Sequence, residues 1–459
     1  MQPNIHFYDG QYIGTPALGQ LVSFDSLACG PNGVSHYTTQ ISLRADASFI
    51  PQTIEELDCF DLDLKAGVSE YQWSRKAQEL FSTPASLHVG IGSTSTLDNF
   101  IRFSMYRCLA TLPNTELPLG AHYLDLLTVS RALSLLRPET SPIAMPENWS
   151  EKRRRAFVFN TYDSESRAVS VMEFAKAIAG ANPSLLAHAI AHSSPAQIAN
   201  LCGLVDGQVE TLPLKPVFVC HEQLMSPMQY GVFLPIGTDP QYKNIVYMVD
   251  LQCDLAELID DAGMSVSRFI RSAAGEQDKP VVRVNLNRVP FVSPLGVVDR
   301  STASRLGISP SMIKSRLALL QGQSDLSLAL MEVSGASDAS LVADPDYQLY
   351  GAEYLGPDKA LLSSLHCHEP ADWERLLAQA NDARIRALGM RLIRRCEPAL
   401  LRENELQEWL AHCASRLVGR GAQPRLQAIK EYCANVVGTP GYPMGVRAAA
   451  QHWLHTTGL

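Results

Sequence analysis

Residues 88–112 read HVGIGSTSTLDNFIRFSMYRCLATL. The apolar opening is too short for a helix and predicts a buried strand, while Leu97, Phe100, Ile101, Ser104 and Cys108 recur at helical spacing. Ser95 or Thr96 is expected to cap that helix, with Leu97 opening its buried face. A strand that runs straight into an amphipathic helix is an α/β unit, and the flanking sequence extends it. Upstream, Ile5, Phe7, Asp9 and Gln11 alternate with His6, Tyr8 and Gly10, so a period of two puts Asp9 and Gln11 on one face at the end of a strand. Downstream, YLDLLTVSRALSLLRPE (residues 123–139) is an amphipathic helix closed by Pro138. Next, DSESRAVSVMEFAKAIAGANP (163–183) predicts a helix capped by Asp163 or Ser164. Its stripe is Ala168, Val171, Met172, Ala175 and Ile178, which sets Arg167 at the inward-facing end.

From about Pro183 the pattern changes. PVFVCHE, YGVFLPIG, NIVYMVDLQ and VVRVNLNRVPFV are strand-like and predict a small antiparallel β unit. From about Asp344 helical periodicity runs to the end, longest in DWERLLAQANDARIRALGMRLIRRC (372–396) and NELQEWLAHCASRL (404–417). The 459 residues are about three typical domains long. The expected division is 1–182 as an α/β domain, 183–343 as a β domain with helical insertions, and 344–459 as a helical domain.

Composition sets the limits on function. Hydrophobic residues make up 46% and charged residues 19%, which excludes a disordered or fibrous chain. Lys and Arg total 38 against 47 Asp and Glu, a net charge of -9, so any nucleic-acid contact has to come from a local basic patch. The ten cysteines form no C-x-x-C pair, which argues against a zinc ribbon or redox motif and fits a reducing cytoplasm. Neither a secretory leader nor a membrane-spanning run of apolar residues is present, so a cytoplasmic protein is expected.

Several stretches, taken in order, resemble bacterial exonuclease I of the DEDD 3′-to-5′ exonuclease superfamily: FYDGQYIGTPAL, GIGSTSTLDNFIRFSMYR, DLLTVSRALSLLRPE, NIVYMVDL with PVVRVNLNRVPFV, ASRLGI and QLYGAEY. No one of them is specific alone; their collinear order carries the resemblance. It implies an α/β RNase H-like exonuclease domain (a mixed sheet with flanking helices), an SH3-like β domain and an α-helical C-terminal extension. Together these would form a C-shaped clamp on single-stranded DNA.

The catalytic positions implied by the resemblance depart from the family pattern. Its Asp-x-Glu motif stands here as Asp9-Gly10-Gln11. The metal-binding aspartate of its Phe-Asp-Asp motif matches Leu97, with Asp98 one residue off register. Its third motif, His followed five residues later by Asp, matches Tyr162 and Arg167, with Asp163 just after the lost histidine. Two divalent cations need several carboxylates to hold them and offset their repulsion. One aspartate is too few, and an arginine adds positive charge where a ligand should be. Arg167 is therefore expected to pair with Asp9 in place of metal, with Leu97 filling vacated space. Neither Mg2+ nor another cofactor is expected. Asp98 and Asp163 are the residues that could rebuild a metal site, in which case Mg2+ would be required.

Lys152, Arg153, Arg154 and Arg155 form the densest basic run, read either as a solvated face or as a phosphate-contacting patch. Arg137 matches a family arginine that helps receive the acidic tail of the single-stranded-DNA-binding protein. Pro294, Asp299 and Gln321 replace its polar or basic neighbours, so that partner is in doubt. His366-Cys367-His368 lacks a second ligand pair at finger spacing and reads as a turn. The expected function is a catalytically silent homologue that binds single-stranded DNA or a protein partner in DNA metabolism. The alternatives are an active 3′-to-5′ single-strand exonuclease with an altered metal site and a pure protein scaffold.

Overall fold

The structure is a computed structural model. It describes residues 4–30, 35–43, 67–81, 86–111, 122–144, 150–205, 208–209, 215–222, 224, 229–239, 242–260, 266–271, 279–321, 344–368, 370–396, 400–417, 423–439, 447, 451 and 454–455. The chain divides into two compact units, both discontinuous in sequence. One contains residues 1–7, 86–94 and 122–339, and the other 8–85, 95–121 and 340–459. The division runs through the first strand.

Five strands form a mixed sheet in the order β3-β2-β1-β4-β5. They are β1 (Asn4–Ile13), β2 (Gln20–Cys29), β3 (Ser35–Ser42), β4 (Ser86–Gly90) and β5 (His122–Asp125). The start of β1 pairs in parallel with β4, Phe7 opposite Val89, and β4 pairs in parallel with β5, Gly90 opposite Asp125. A central parallel strand is covered on both faces, which is why all five residues of β4 are buried. Between β1 and β4, His6 Nδ1 and His88 Nδ1 are 2.9 Å apart, and His88 Nε2 lies 2.7 Å from Ser86 Oγ. Burial holds His6 at about 4 and His88 well below the ordinary histidine value, so both rings are neutral at pH 7.

Helices follow the strands: α1 (Glu70–Phe81), α2 (Asp98–Arg107), α3 (Leu126–Leu136), α4 (Glu151–Thr161) and α5 (Arg167–Ala181). The helix α3 starts where Asp125 ends β5, its carboxylate accepting from the Leu127 amide as an N-cap. The same carboxylate takes the amides of Gly92 and Thr94 and the Thr94 hydroxyl, fixing the loop after β4.

The β region is a six-stranded sheet in the order β11-β12-β10-β9-β8-β13, with a two-stranded pair beside it in sequence, β6 (Leu204–Val205) and β7 (Gln208–Val209). Its strands are β8 (Val217–Cys220), β9 (Tyr230–Thr238), β10 (Ile245–Asp250), β11 (Ile270–Arg271), β12 (Val281–Asn285) and β13 (Phe291–Pro294). The expectation of an antiparallel unit holds for β8, β9, β10, β12 and β13, whereas β11 pairs with β12 in parallel.

In the other unit, α2 meets the C-terminal helices α6 (Gly356–Leu365), α7 (Pro370–Leu377) and α8 (Ala383–Cys396) around a core that includes Tyr106, Leu349, Trp373 and Leu388. The long apolar periodicity of 372–396 is thus two helices. The buried Asp358 carboxylate accepts from the Asn381 and Asp382 amides, ending the continuous helix at a turn. Gly389 lets the pair close, because a Cβ there would lie 2.3 Å from Leu377 Cδ2. A buried ion triad completes this core: Glu70 receives Arg107 Nη2 at 2.6 Å and Arg395 Nη1 at 2.8 Å, and Ser104 donates its hydroxyl to the same carboxylate. Burial favours the neutral acid, but the two guanidiniums outweigh it and hold Glu70 below the ordinary carboxylate range.

Candidate functional site

The residues singled out in the sequence fall in both units, Asp9, Gln11, Leu97 and Asp98 in one, Arg137, the basic run, Tyr162, Asp163 and Arg167 in the other. In the first group Asp9 is fully buried in the middle of β1, which runs on to Ile13 and so does not end at Asp9 and Gln11 as expected. Gln11 accepts a hydrogen bond from Ser23 Oγ at 3.0 Å through its amide oxygen. The even-numbered side of β1 faces α2: Tyr12 stacks on Phe100 with centroids 4.3 Å apart, and a Cβ on Gly10 would come 3.1 Å from Leu97 Cδ1.

Leu97 is 1% exposed and belongs to the apolar cluster of Tyr8, Leu21, Phe24, Phe100 and Ile101. Its position follows from a local change of winding. Ser93–Leu97 is a π turn, and the regular helix begins only at Asp98. The N-cap position falls to Leu97, without a side-chain bond, and not to Ser95 or Thr96. Asp98, exposed in part at the first turn of α2, accepts the Tyr8 hydroxyl at 2.6 Å.

At these four positions only Asp9 and Asp98 are carboxylates, Gln11 offers an amide already bonded to Ser23 and Leu97 offers no donor, so the set holds less negative charge than two divalent ions call for.

In the second group Tyr162 ends α4 and lies against Phe174, ring centroids 5.2 Å apart, with burial raising its phenol above the ordinary value. Asp163 is exposed on the following turn. The N-cap position of α5 belongs to Ser166 rather than to Asp163 or Ser164, and Arg167 is the first helical residue. The Arg167 guanidinium carbon lies 4.0 Å from the centroid of the Phe159 ring, and that of Arg155 lies 5.3 Å from the same centroid. Arg155 also donates from Nε to the Ile91 carbonyl at 3.0 Å.

Helical geometry divides the basic run. Lys152 and Arg153 are exposed, Arg155 is half-buried, and Arg154 is only 5% exposed. Arg154 alone departs from the expected solvated face or phosphate-contacting patch, because successive helical residues turn by about 100°. Arg154 and Arg131 lie close enough to Cys220 to oppose the burial that pushes its thiol up to about 12. Burial, with Arg131 and Arg288 nearby, holds His221 at about 3.

Arg137 Nη1 is 3.5 Å from Asp299 Oδ2, and its Nη2 donates to the Val297 carbonyl at 3.4 Å. Asp299 also caps the short helix Arg300–Arg305 through the Thr302 amide. Pro294 is exposed at the end of β13, and the side chain of Gln321 lies outside the described residues. His366 accepts no zinc-like geometry: its Nδ1 is 3.0 Å from the Tyr71 hydroxyl and its Nε2 is 2.9 Å from the Leu109 carbonyl. Cys367 and His368 are exposed at the helix end. No group of three or more His, Cys, Asp or Glu is placed for a metal among the described residues.

Sequence reasoning passed over Phe159, Asp125 and the Tyr8–Asp98 bond. Asp125 carried a readable signal, a capping residue just before an apolar helical run. Phe159 carried none, since the two arginines beside its ring stand twelve residues apart on different elements, four before it and eight after it.

Residues 211–334 match the family described as Exonuclease I SH3-like domain, and 343–439 the Exonuclease I C-terminal domain. Exodeoxyribonuclease I of Buchnera aphidicola subsp. Schizaphis graminum is 25% identical over 369 residues, 77% of this chain and 74% of its own length. That of Escherichia coli strain K12 is 23% identical over 364 residues, 75% and 74% of the two chains. A solved structure of E. coli exonuclease I in complex with a 5cy-dT13 oligonucleotide superposes with a TM-score of 0.80 at 20% identity, covering 99% of this chain and 100% of the other. No helix among the described residues is long and apolar enough to cross a membrane. The order of motifs, the two matched domains and the shared fold agree: the chain carries the SH3-like and C-terminal domains described for exonuclease I and is similar to bacterial exonuclease I over about three quarters of its length.

Proposed function

We propose that this protein binds single-stranded DNA as exonuclease I does but has lost the nuclease chemistry. The observation that carries the reading is Leu97, matched to a metal-binding aspartate and packed at 1% exposure among Tyr8, Phe100 and Ile101. A carboxylate there would be buried in hydrocarbon without a partner, so the surroundings, and not only the residue, have become apolar. The engagement of Gln11 by Ser23 and of Asp98 by Tyr8 supports the same reading. The oligonucleotide complex of the E. coli relative supports single-stranded DNA as ligand.

A second reading, an active 3′-to-5′ exonuclease on an altered, Mg2+-dependent site, is favoured by the retained Asp9 and by relatives that bear the name exodeoxyribonuclease I. Incubation of 5′-labelled oligo-dT with Mg2+ or Mn2+ separates the two. Intact substrate alongside an anisotropy increase supports the binding protein. Stepwise shortening from the 3′ end that disappears in Asp9→Ala establishes the enzyme instead.

A further inference from the structure

We propose that Tyr350 is a stacking station for one nucleobase of single-stranded DNA, its ring held in place from α2 by Asn99 and Arg102. This rests on the DNA-binding reading and adds to it a point at which a base, rather than the backbone, is gripped.

The ring is fixed by several contacts. The Tyr350 hydroxyl donates to Asn99 Oδ1 at 3.0 Å and accepts from Arg102 Nη1 at 3.4 Å. The Arg102 guanidinium carbon stands over the ring, 5.1 Å from its centroid, and Phe103 meets the ring in a T-shaped contact at 5.9 Å. All four residues belong to the same compact unit. Those contacts leave 49% of Tyr350 exposed. A ring oriented before its ligand arrives loses little conformational freedom on stacking, and every base offers it a π-face. Arg102 acts here as the holder of the ring and not as a phosphate ligand.

Exposure is concentrated around this residue. Among the described residues five large apolar or aromatic side chains stand exposed, and three of them, Tyr347, Tyr350 and Leu355, fall within nine residues. Such surface gathered in one segment marks a contact surface, whereas single exposed residues scattered over a protein need no partner. The carboxylates of the segment do not bar a polyanion, since Asp344 and Asp346 are ion-paired with Arg391, and Glu353 with Lys359. Position favours a nucleotide as the occupant. Asn99 and Arg102 follow Leu97 within five residues, about one and a half turns of helix, so the ring stands along α2 from the position matched to a metal-binding aspartate.

The test is anisotropy of labelled oligo-dT in EDTA, where no metal-dependent cleavage shortens the strand, for wild type, Tyr350→Leu and Tyr350→Phe, with thermal melts confirming folded protein. The strand is used intact and with one abasic site stepped along it. Wild-type affinity should drop when the abasic site occupies one particular position. Tyr350→Leu should weaken binding of the intact strand by about tenfold, as for loss of one stacked base, with the log–log salt slope unchanged because no phosphate contact is lost. It should also erase the position-specific drop. Tyr350→Phe keeps the ring and should retain most of the affinity. A flat wild-type profile, a folded Tyr350→Leu that binds as wild type does or keeps the drop, or an equal loss in Tyr350→Phe overturns the station while leaving DNA binding intact. A wild type that fails to bind at low salt overturns the DNA-binding reading itself and the station with it.

Discussion

The Tyr8 hydroxyl donates to the Asp98 carboxylate at 2.6 Å, joining the middle of β1 to the first turn of α2. Tyr8 is fully buried, so the bond is a tertiary fastener at the edge of an apolar core. Tyr8→Phe is expected to lower stability by about 1.5–3 kcal/mol, the range for a hydrogen bond to a charged group. Leu97→Asp should cost about 3 kcal/mol or more, because it sets a carboxylate among buried rings and methyl groups. Urea titrations read both. Full stability of Leu97→Asp, together with new Mn2+-dependent degradation, would show a pocket still prepared for metal.

The paired histidines of β1 and β4 predict acid sensitivity. In the folded protein His6 is held at about 4 and His88 well below 6.5, whereas both return to about 6.5 on unfolding. Between those values the unfolded chain binds more protons, so stability is complete above about pH 6.5 and falls as pH drops toward 4. The urea midpoint should be clearly lower at pH 5 than at pH 7.5. His88→Phe should shrink that difference even if it lowers the midpoint at both. A wild-type midpoint that does not move between the two pH values contradicts the assignment.

The basic run should separate into two behaviours. Arg154→Ala removes a buried guanidinium and its packing, and is expected to destabilise by about 2 kcal/mol or more. Changing Lys152 and Arg153 to Ala should leave stability within about 0.5 kcal/mol, since both are exposed. Melting curves of the two proteins settle the distinction, and equal effects would contradict the division of the helix faces.

Arg137 faces a competitor for any acidic peptide, because Asp299 stands 3.5 Å from its guanidinium. A peptide ending in an acidic and hydrophobic tail should bind weakly to the wild type. Asp299→Ser keeps a capping side chain for Thr302 and removes the competing charge, so binding should tighten several-fold in calorimetry. Low-micromolar binding by the wild type, unaltered in Asp299→Ser, would place the tail elsewhere.

The strands β1 and β4, the helices α2, α3 and α5 and the change to a β region and then a helical one were legible because they depend on periodicity; β2, β3, α1 and α4 were not, and Tyr123–Asp125, which the sequence assigns to the following helix, forms β5. The residue identities at Gln11, Leu97, Tyr162 and Arg167 were equally legible, since they are departures from a motif. Winding was not. The π turn at Ser93–Leu97 adds backbone between turns without leaving a composition signal, and it displaced the expected cap from Ser95 or Thr96. Burial of Arg154 within a run of exposed charge was hidden for a similar reason: residues adjacent in sequence point in different directions on a helix. The break between α7 and α8 depends on Asp358, far from the residues whose amides it accepts, so no local pattern announces it.

The Glu70 triad also imposes an order in time. Arg107 follows Glu70 by 37 residues, but Arg395 follows it by 325. At a synthesis rate of about 5–20 residues per second, the second guanidinium leaves the ribosome roughly 16–65 s after the glutamate. Once Arg107 has been made, the nascent chain holds the carboxylate and one arginine until the residue that completes their charge balance follows. The surroundings of Glu70 therefore reach their final electrostatic state only after residue 395 has been made.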